Sequence, residues 1–133
     1  MVDKVTPFLM FQGDAGAAIA LYRELIPAAE IKRLDHYGPG EPGPEGQVSR
    51  AVLVIAGQEL MIIDSPPVHA FSFTPSVSFF VDCADELEIE RLFAGLAEGG
   101  LVRMPLNNYG FSLRFGWVDD RFGVSWQLNL PAA

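Results

Sequence analysis

The feature that most constrains this chain is that the same module is written in it twice. A strand-like run from Val5 to Phe11 leads through Gly13-Asp14 into a helical pattern, where Asp14 is placed to cap and Ala17, Ala18, Leu21, Tyr22 and Leu25 share one face. Pro27 ends that helix. In the second half Ser76 to Val81 is strand-like, and Asp82-Cys83-Ala84-Asp85 opens a helix with an apolar stripe of Ile89, Leu92, Phe93 and Leu96, stopped by Gly99-Gly100. Three further strand candidates follow each helix. They are Ala28 to His36, Gln47 to Ile55 and Glu59 to Asp64, then Leu101 to Met104, Phe111 to Val118 and Val124 to Leu130. Ala56-Gly57-Gln58 reads as a hairpin turn. Both halves spell β-α-β-β-β with a period of about seventy residues. The fold class is therefore α+β, with each helix covering one side of a sheet and leaving the other side to be closed by something else.

With 133 residues, half of them apolar, the chain supports one globular domain. Within it, residues 1–66 form the first βαβββ module, 76–133 the second and 67–75 the linker. That linker is stiffened by proline and carries Phe71 and Phe73, which need burial. Tyr37 to Gly46 is too rich in Gly and Pro for regular structure and is expected to be a mobile surface loop, either a lid or a plain excursion. A net charge of -8 repels phosphate backbones and anionic lipid, so neither nucleic acid nor membrane is an expected partner. The opening Met1-Val2-Asp3-Lys4 lacks a signal-peptide pattern and no apolar run approaches a membrane helix, so a cytoplasmic location is expected.

The polar chemistry concentrates on the last strand. Val124, Trp126 and Leu128 alternate with Ser125, Gln127 and Asn129, giving one apolar and one polar face, and the fifth strand presents Ser76, Ser78 and Phe80 by the same alternation. These groups offer neutral hydrogen bonding beside an apolar wall, which suits a modest organic ligand. Arg114 is a candidate clamp for a carboxylate or phosphate, or else an ion-pair partner of a nearby acid. Asp64, at a strand end, is the best acid or base candidate. Phe111, Leu113, Phe115 and Trp117 alternate with Ser112, Arg114 and Gly116 and read chiefly as core. His36 and His69 read as solvent-facing, and the single cysteine, Cys83, reads as a packing residue.

Thr6-Pro7-Phe8-Leu9, the helix segment Ala18-Ile19-Ala20-Leu21-Tyr22, the strand Val77-Ser78-Phe79-Phe80-Val81 and the ending Asp120-Arg121-Phe122-Gly123-Val124-Ser125-Trp126-Gln127 carry a resemblance. The chain resembles the PhnB-like family, often labelled 3-demethylubiquinone-9 3-methyltransferase, of the vicinal oxygen chelate superfamily that includes glyoxalase I, bleomycin-resistance proteins and extradiol dioxygenases. The resemblance implies two β-α-β-β-β modules curling into an incomplete barrel around a cavity, and two chains pairing as a homodimer. Metal-dependent members place one ligand on the first and one on the last strand of each module. Carried over by register, those places are Pro7, Ser76 and Gln127, with the fourth strand's place somewhere in Met61 to Asp64. Proline offers no donor atom, and serine and glutamine are poor ligands for transition metals, so no bound metal and no cofactor are expected.

The methyltransferase label finds no support in the residues. Gly13-Asp14-Ala15-Gly16 is too short and isolated for a cofactor loop, and reads as a helix entrance. The leading expectation is a metal-free module binding a small organic molecule, with Ser76, Ser78, Arg114, Gln127 and Asp64 as candidate ligand-binding residues. The acidic balance favours a cationic ligand. A glyoxalase-like enzyme with an unconventional metal site is the alternative, and a dimeric interaction protein whose cavity is filled by its own side chains is a third reading.

Overall fold

A computed structural model describes residues 1–132, and the chain falls into two compact units whose boundary lies between Ala70 and Phe71. The first contains β1 (Phe8–Phe11), α1 (Ala15–Leu25), β2 (Ala29–His36), β3 (Val48–Ile55) and β4 (Gln58–Asp64). The second contains β5 (Ser78–Asp82), α2 (Glu86–Ala97), β6 (Leu101–Asn107), β7 (Arg114–Asp119) and β8 (Ser125–Leu130). The two four-stranded sheets have orders β1-β4-β3-β2 and β5-β8-β7-β6. In each the outer pair, β1 with β4 and β5 with β8, is parallel, and the remaining pairs are antiparallel. These are the two β-α-β-β-β modules, each with an open mixed sheet.

Pattern and packing agree in both units. In the first, Leu53, Leu60 and Ile62 of the sheet and Ala18, Ile19 and Tyr22 of α1 are all buried, and α1 packs on β3 and β4. In the second, Ile89, Leu92 and Leu96 of α2 are buried, as are Val118, Trp126 and Leu128 of the sheet, and α2 packs on β7 and β8. The β3–β4 hairpin closes on Ala56 and Gly57, which have φ of 48° and 85° while Ile55 pairs with Gln58. Positive φ at both central residues is the turn that matches strand twist, and it explains the glycine. Gly116 serves a different need, because a Cβ there would lie 2.6 Å from the Phe93 ring. Its bare backbone lets α2 lie close on β7.

Some boundaries moved. Phe111 to Leu113 lie outside β7, with Phe111 and Leu113 exposed, whereas β6 runs on past Met104 to Asn107. Pro105 is tolerated there because β6 is an edge strand broken by two register shifts. Asp14 makes no side-chain cap on α1. The capping group comes from far along the chain: Asp64 Oδ1 accepts from Gly13 N at 2.8 Å and Ala15 N at 2.9 Å, and Oδ2 accepts from Val48 N at 3.0 Å. Its backbone carbonyl accepts from the Tyr37 hydroxyl at 2.8 Å. At α2 the capping is local, with Asp85 accepting from Glu88 N and Glu88 accepting from Ala84 N, both at 2.9 Å.

Asp64 is 1% exposed, so truncating it leaves three backbone donors without a partner. Asp64→Ala should cost roughly 3 to 5 kcal/mol, read as a lower urea midpoint at unchanged slope. Asp14→Ala should move the midpoint by less than about a quarter of that.

Candidate functional site

The second sheet arranges its chemistry by register. Ser78 pairs with Ser125, Phe80 with Gln127 and Asp82 with Asn129, while β7 sets Asp119, Trp117 and Phe115 opposite the same three β8 residues. Paired residues share a face. The face turned away from α2 therefore shows three rows: Ser78-Ser125-Asp119, Phe80-Gln127-Trp117 and Asp82-Asn129-Phe115. The opposite rows, Phe79-Trp126-Val118 and Val81-Leu128-Gly116, lie on the α2 side.

Hydrogen bonds knit the polar members together. Gln127 Nε2 lies 2.9 Å from Ser78 Oγ, and Trp117 Nε1 donates to Ser125 Oγ at 2.7 Å. Arg103 on β6 donates from Nε and Nη2 to Asp119 Oδ2 at 2.8 and 2.6 Å, and its guanidinium lies 5.7 Å from the centre of the Trp117 ring. Asn129 Nδ2 donates to Asp82 Oδ1 at 2.9 Å. A carboxylate only accepts, so this bond fixes the amide's orientation. Asn129 Oδ1 is then a buried acceptor without a hydrogen-bond partner among the described residues.

Beside this strip stands an aromatic cluster. Phe115 lies 5.1 Å from Phe111 and 6.2 Å from both Phe80 and Tyr109, centre to centre, and Tyr109 stacks on Phe111 at 6.4 Å. Phe80 and Phe111 are 57% and 63% exposed, whereas Phe115 is buried. Exposed aromatic rings beside an unsatisfied acceptor make a surface suited to an organic ligand that donates hydrogen bonds.

The structure brings together two of the five predicted site residues, Ser78 and Gln127. Ser76 lies before β5, exposed, with its hydroxyl 2.7 Å from Thr74 Oγ1. Arg114 lies on the α2 side, where Nη1 bonds Glu86 at 2.8 Å and Glu90 at 3.3 Å. The ion pair, not the anion clamp, is what the sheet parity provides. Asp64 belongs to the first unit and both its oxygens are committed to backbone donors. His36 and His69 are exposed. Cys83 is buried, and burial, reinforced by Glu88, Asp82 and Asp85, pushes its thiol up to about 11. Sequence reasoning missed Asp82, Arg103 and Tyr109. For Asp82 the signal was present, since it continues the Ser78, Phe80 alternation by one step.

Register also decides what stands at the carried-over metal places. Pro7 lies outside β1, its carbonyl accepting from Met61 N at 2.9 Å, and alternation puts Phe8 and Met10 on the face away from α1. On the helix side, Phe11 pairs with Asp64 as Val81 pairs with Leu128, so the position matching Gln127 is Ile63. The donors at these places are thus one amide and serine hydroxyls. Among the described residues no three His, Cys, Asp or Glu side chains gather as a metal would need. Such a set does not fit a transition metal ion.

The model of the family described as 3-demethylubiquinone-9 3-methyltransferase matches residues 3–129. The PhnB protein of Bacillus cereus is 46% identical, with a TM-score of 0.91 over 96% of this chain and 99% of that one. Protein YjdN of Escherichia coli K12 is 26% identical over 95% of this chain and 94% of its own. A glyoxylase/bleomycin resistance protein/dioxygenase domain from Frankia, 15% identical over 99% of each chain at a TM-score of 0.65, shares the fold.

Arg103 holds the Asp119 carboxyl below the ordinary value of 3.8, burial opposes this, and the Ser125 hydroxyl assists. A depressed folded-state pKa gives stability that is complete above the ordinary range and lost as pH falls through the folded value. The stability difference between the parent and Asp119→Asn should therefore be constant near neutrality and shrink below about pH 4, measured by urea unfolding across pH. At pH 8 iodoacetamide should alkylate Cys83 on the order of a hundredfold more slowly in the folded protein than in urea, followed by mass spectrometry.

Proposed function

The chain belongs to the 3-demethylubiquinone-9 3-methyltransferase-like (PhnB) family and has the glyoxalase/bleomycin-resistance fold. From that premise we propose that it is a metal-independent binding protein for a small organic molecule with an aromatic or cationic body and N–H donors. The observation that carries this reading is the buried, partnerless Asn129 Oδ1, standing with Asp82 and Gln127 beside exposed Phe80 and Phe111. An unpaired buried acceptor costs free energy until a donor reaches it, so a ligand N–H gains that whole difference. The net charge of -8 raises the local concentration of cations. Aromatic faces add attraction for an ammonium or guanidinium group.

Two further observations support the reading over its competitors. The carried-over metal places hold Pro7, Ser76 and Gln127, and the β4 residue that register matches to Gln127 is Ile63, a set with little hold on a divalent ion. The N-terminus of α1, where a cofactor phosphate or carboxylate would seat, is already occupied by the Asp64 carboxylate. We further propose a homodimer, supported by the exposed Phe8 and Met10 on the first sheet's free face.

The test is a thermal-shift and calorimetric panel of aromatic guanidines and amines, their uncharged isosteres, and Mn, Ni, Co and Zn ions. Cationic aromatics should stabilise the protein and the metal ions should not. Asn129→Leu and Gln127→Ala should each weaken the best binder roughly tenfold without lowering stability below the parent by more than about 1 kcal/mol. Stabilisation by a metal ion alone, or binding indifferent to both variants, would overturn the proposal.

A further inference from the structure

The first unit holds a concavity of its own. It lies between α1 and the edge strand β2 and has a volume of about 250 Å³. The helix contributes Gly16, Ile19 and Arg23, one turn apart on one face, and β2 contributes Ile31, Leu34 and His36. The gap has a cause in the sequence. On the helix side, an added Cβ at Gly16 would meet nothing within 4 Å, so this glycine leaves room rather than relieving a clash. On the strand side, a register shift between Ile31 and Arg33 leaves Lys32 unpaired, so Ile31 and Leu34, three residues apart, both turn toward the helix. The second shift, between Asp35 and His36, skips Ser49 on β3, so alternation along β2 keeps the imidazole on the same side as Leu34, opposite Val48.

The lining is apolar except for two groups. Among the described residues neither the Arg23 guanidinium nor the His36 side chain has an ion-pair or hydrogen-bond partner. This sets them apart from their neighbours, since Lys32 is held by Glu59 and Arg33 by Asp35. An unpaired guanidinium over an apolar cleft, in a protein of net charge -8, is a local reversal of sign. We propose that this cleft is a binding site for a small amphiphilic carboxylate, with its alkyl or aryl body on Ile19, Ile31 and Leu34. The carboxylate accepts from Arg23 in the two-pronged geometry a guanidinium offers, and from an imidazole N–H of His36. The volume lies at or below the lower end of the range for drug-sized ligands, which fits a body of one ring or a medium alkyl chain. The cleft is in the first unit and its ligand is an anion, so its fate is separate from that of the polar and aromatic face of the second sheet.

The experiment is a titration of the full chain with octanoate, followed by ¹H–¹⁵N spectra, with octylammonium and octanol as matched controls. Octanoate should shift the amides of Gly16, Ala20, Ile31 and Leu34 in a saturable way, octanol should bind about tenfold more weakly, and octylammonium should leave those amides unmoved. Gly16→Leu fills the cleft with a side chain that has room and that raises helix propensity, so the variant should fold at least as stably and lose the shifts. Arg23→Gln should bring octanoate down to the affinity of octanol while octanol itself is unaffected. Octanoate binding that survives Gly16→Leu, octylammonium binding at these amides, or no saturable shift at all would overturn the proposal.

Discussion

A single buried carboxylate organises the first unit. Asp64 stands at the end of β4, yet its oxygens take the amides that open α1 and the amide that opens β3, and its carbonyl takes the Tyr37 hydroxyl. One side chain thereby fixes where the helix starts, where a strand starts and where the long Gly- and Pro-rich loop is pinned. The second unit has its own version at a different place. Asp120 accepts from Phe122 N at 2.9 Å, Val124 N at 3.1 Å and Trp126 Nε1 at 3.0 Å, tying the β7–β8 turn to the largest core side chain. Buried anions of this kind persist because several donors converge on them.

The architecture was legible because it is carried by periodicity. Alternation in β8 and the 3.6-residue stripes of both helices survive in the structure almost unchanged, and Ala56-Gly57 marks its hairpin in the letters themselves. The errors lie where the decisive partner is distant in sequence. Asp14 has the right residue type at the right place for a cap, but the amides on either side of it, Gly13 N and Ala15 N, are held by a carboxylate fifty residues on, and no local pattern announces that. Phe111 and Leu113 continue the alternation of β7 but precede its first paired residue, Arg114, with Leu113 N making the closing bond to the Leu130 carbonyl, so parity alone overextended the strand.

The candidate site divides along the same line. Ser78 and Gln127 could be placed together because both follow from strand alternation plus a parallel pairing. Arg114 was readable as having two outcomes, and what decided between them was which side of the sheet α2 covers. Counting back from the helix reached Pro7, one residue before β1 begins, so the letters alone did not say on which face of the sheet that place falls. A single-residue slip exchanges the two faces of a strand.

The parallel pairing of first and last strands has a consequence for how such a chain can be built. Each unit begins on one strand and ends on its immediate neighbour running the same way, so the polypeptide comes in at one end of the sheet and goes out at the other. Units with this polarity can be strung in tandem by a short tether, with no thread passing back through either. Each copy then keeps its own complete hydrophobic interior, which leaves the residues on its bare side free to drift apart: one copy has drawn hydroxyls and amides there, and the other has kept oil.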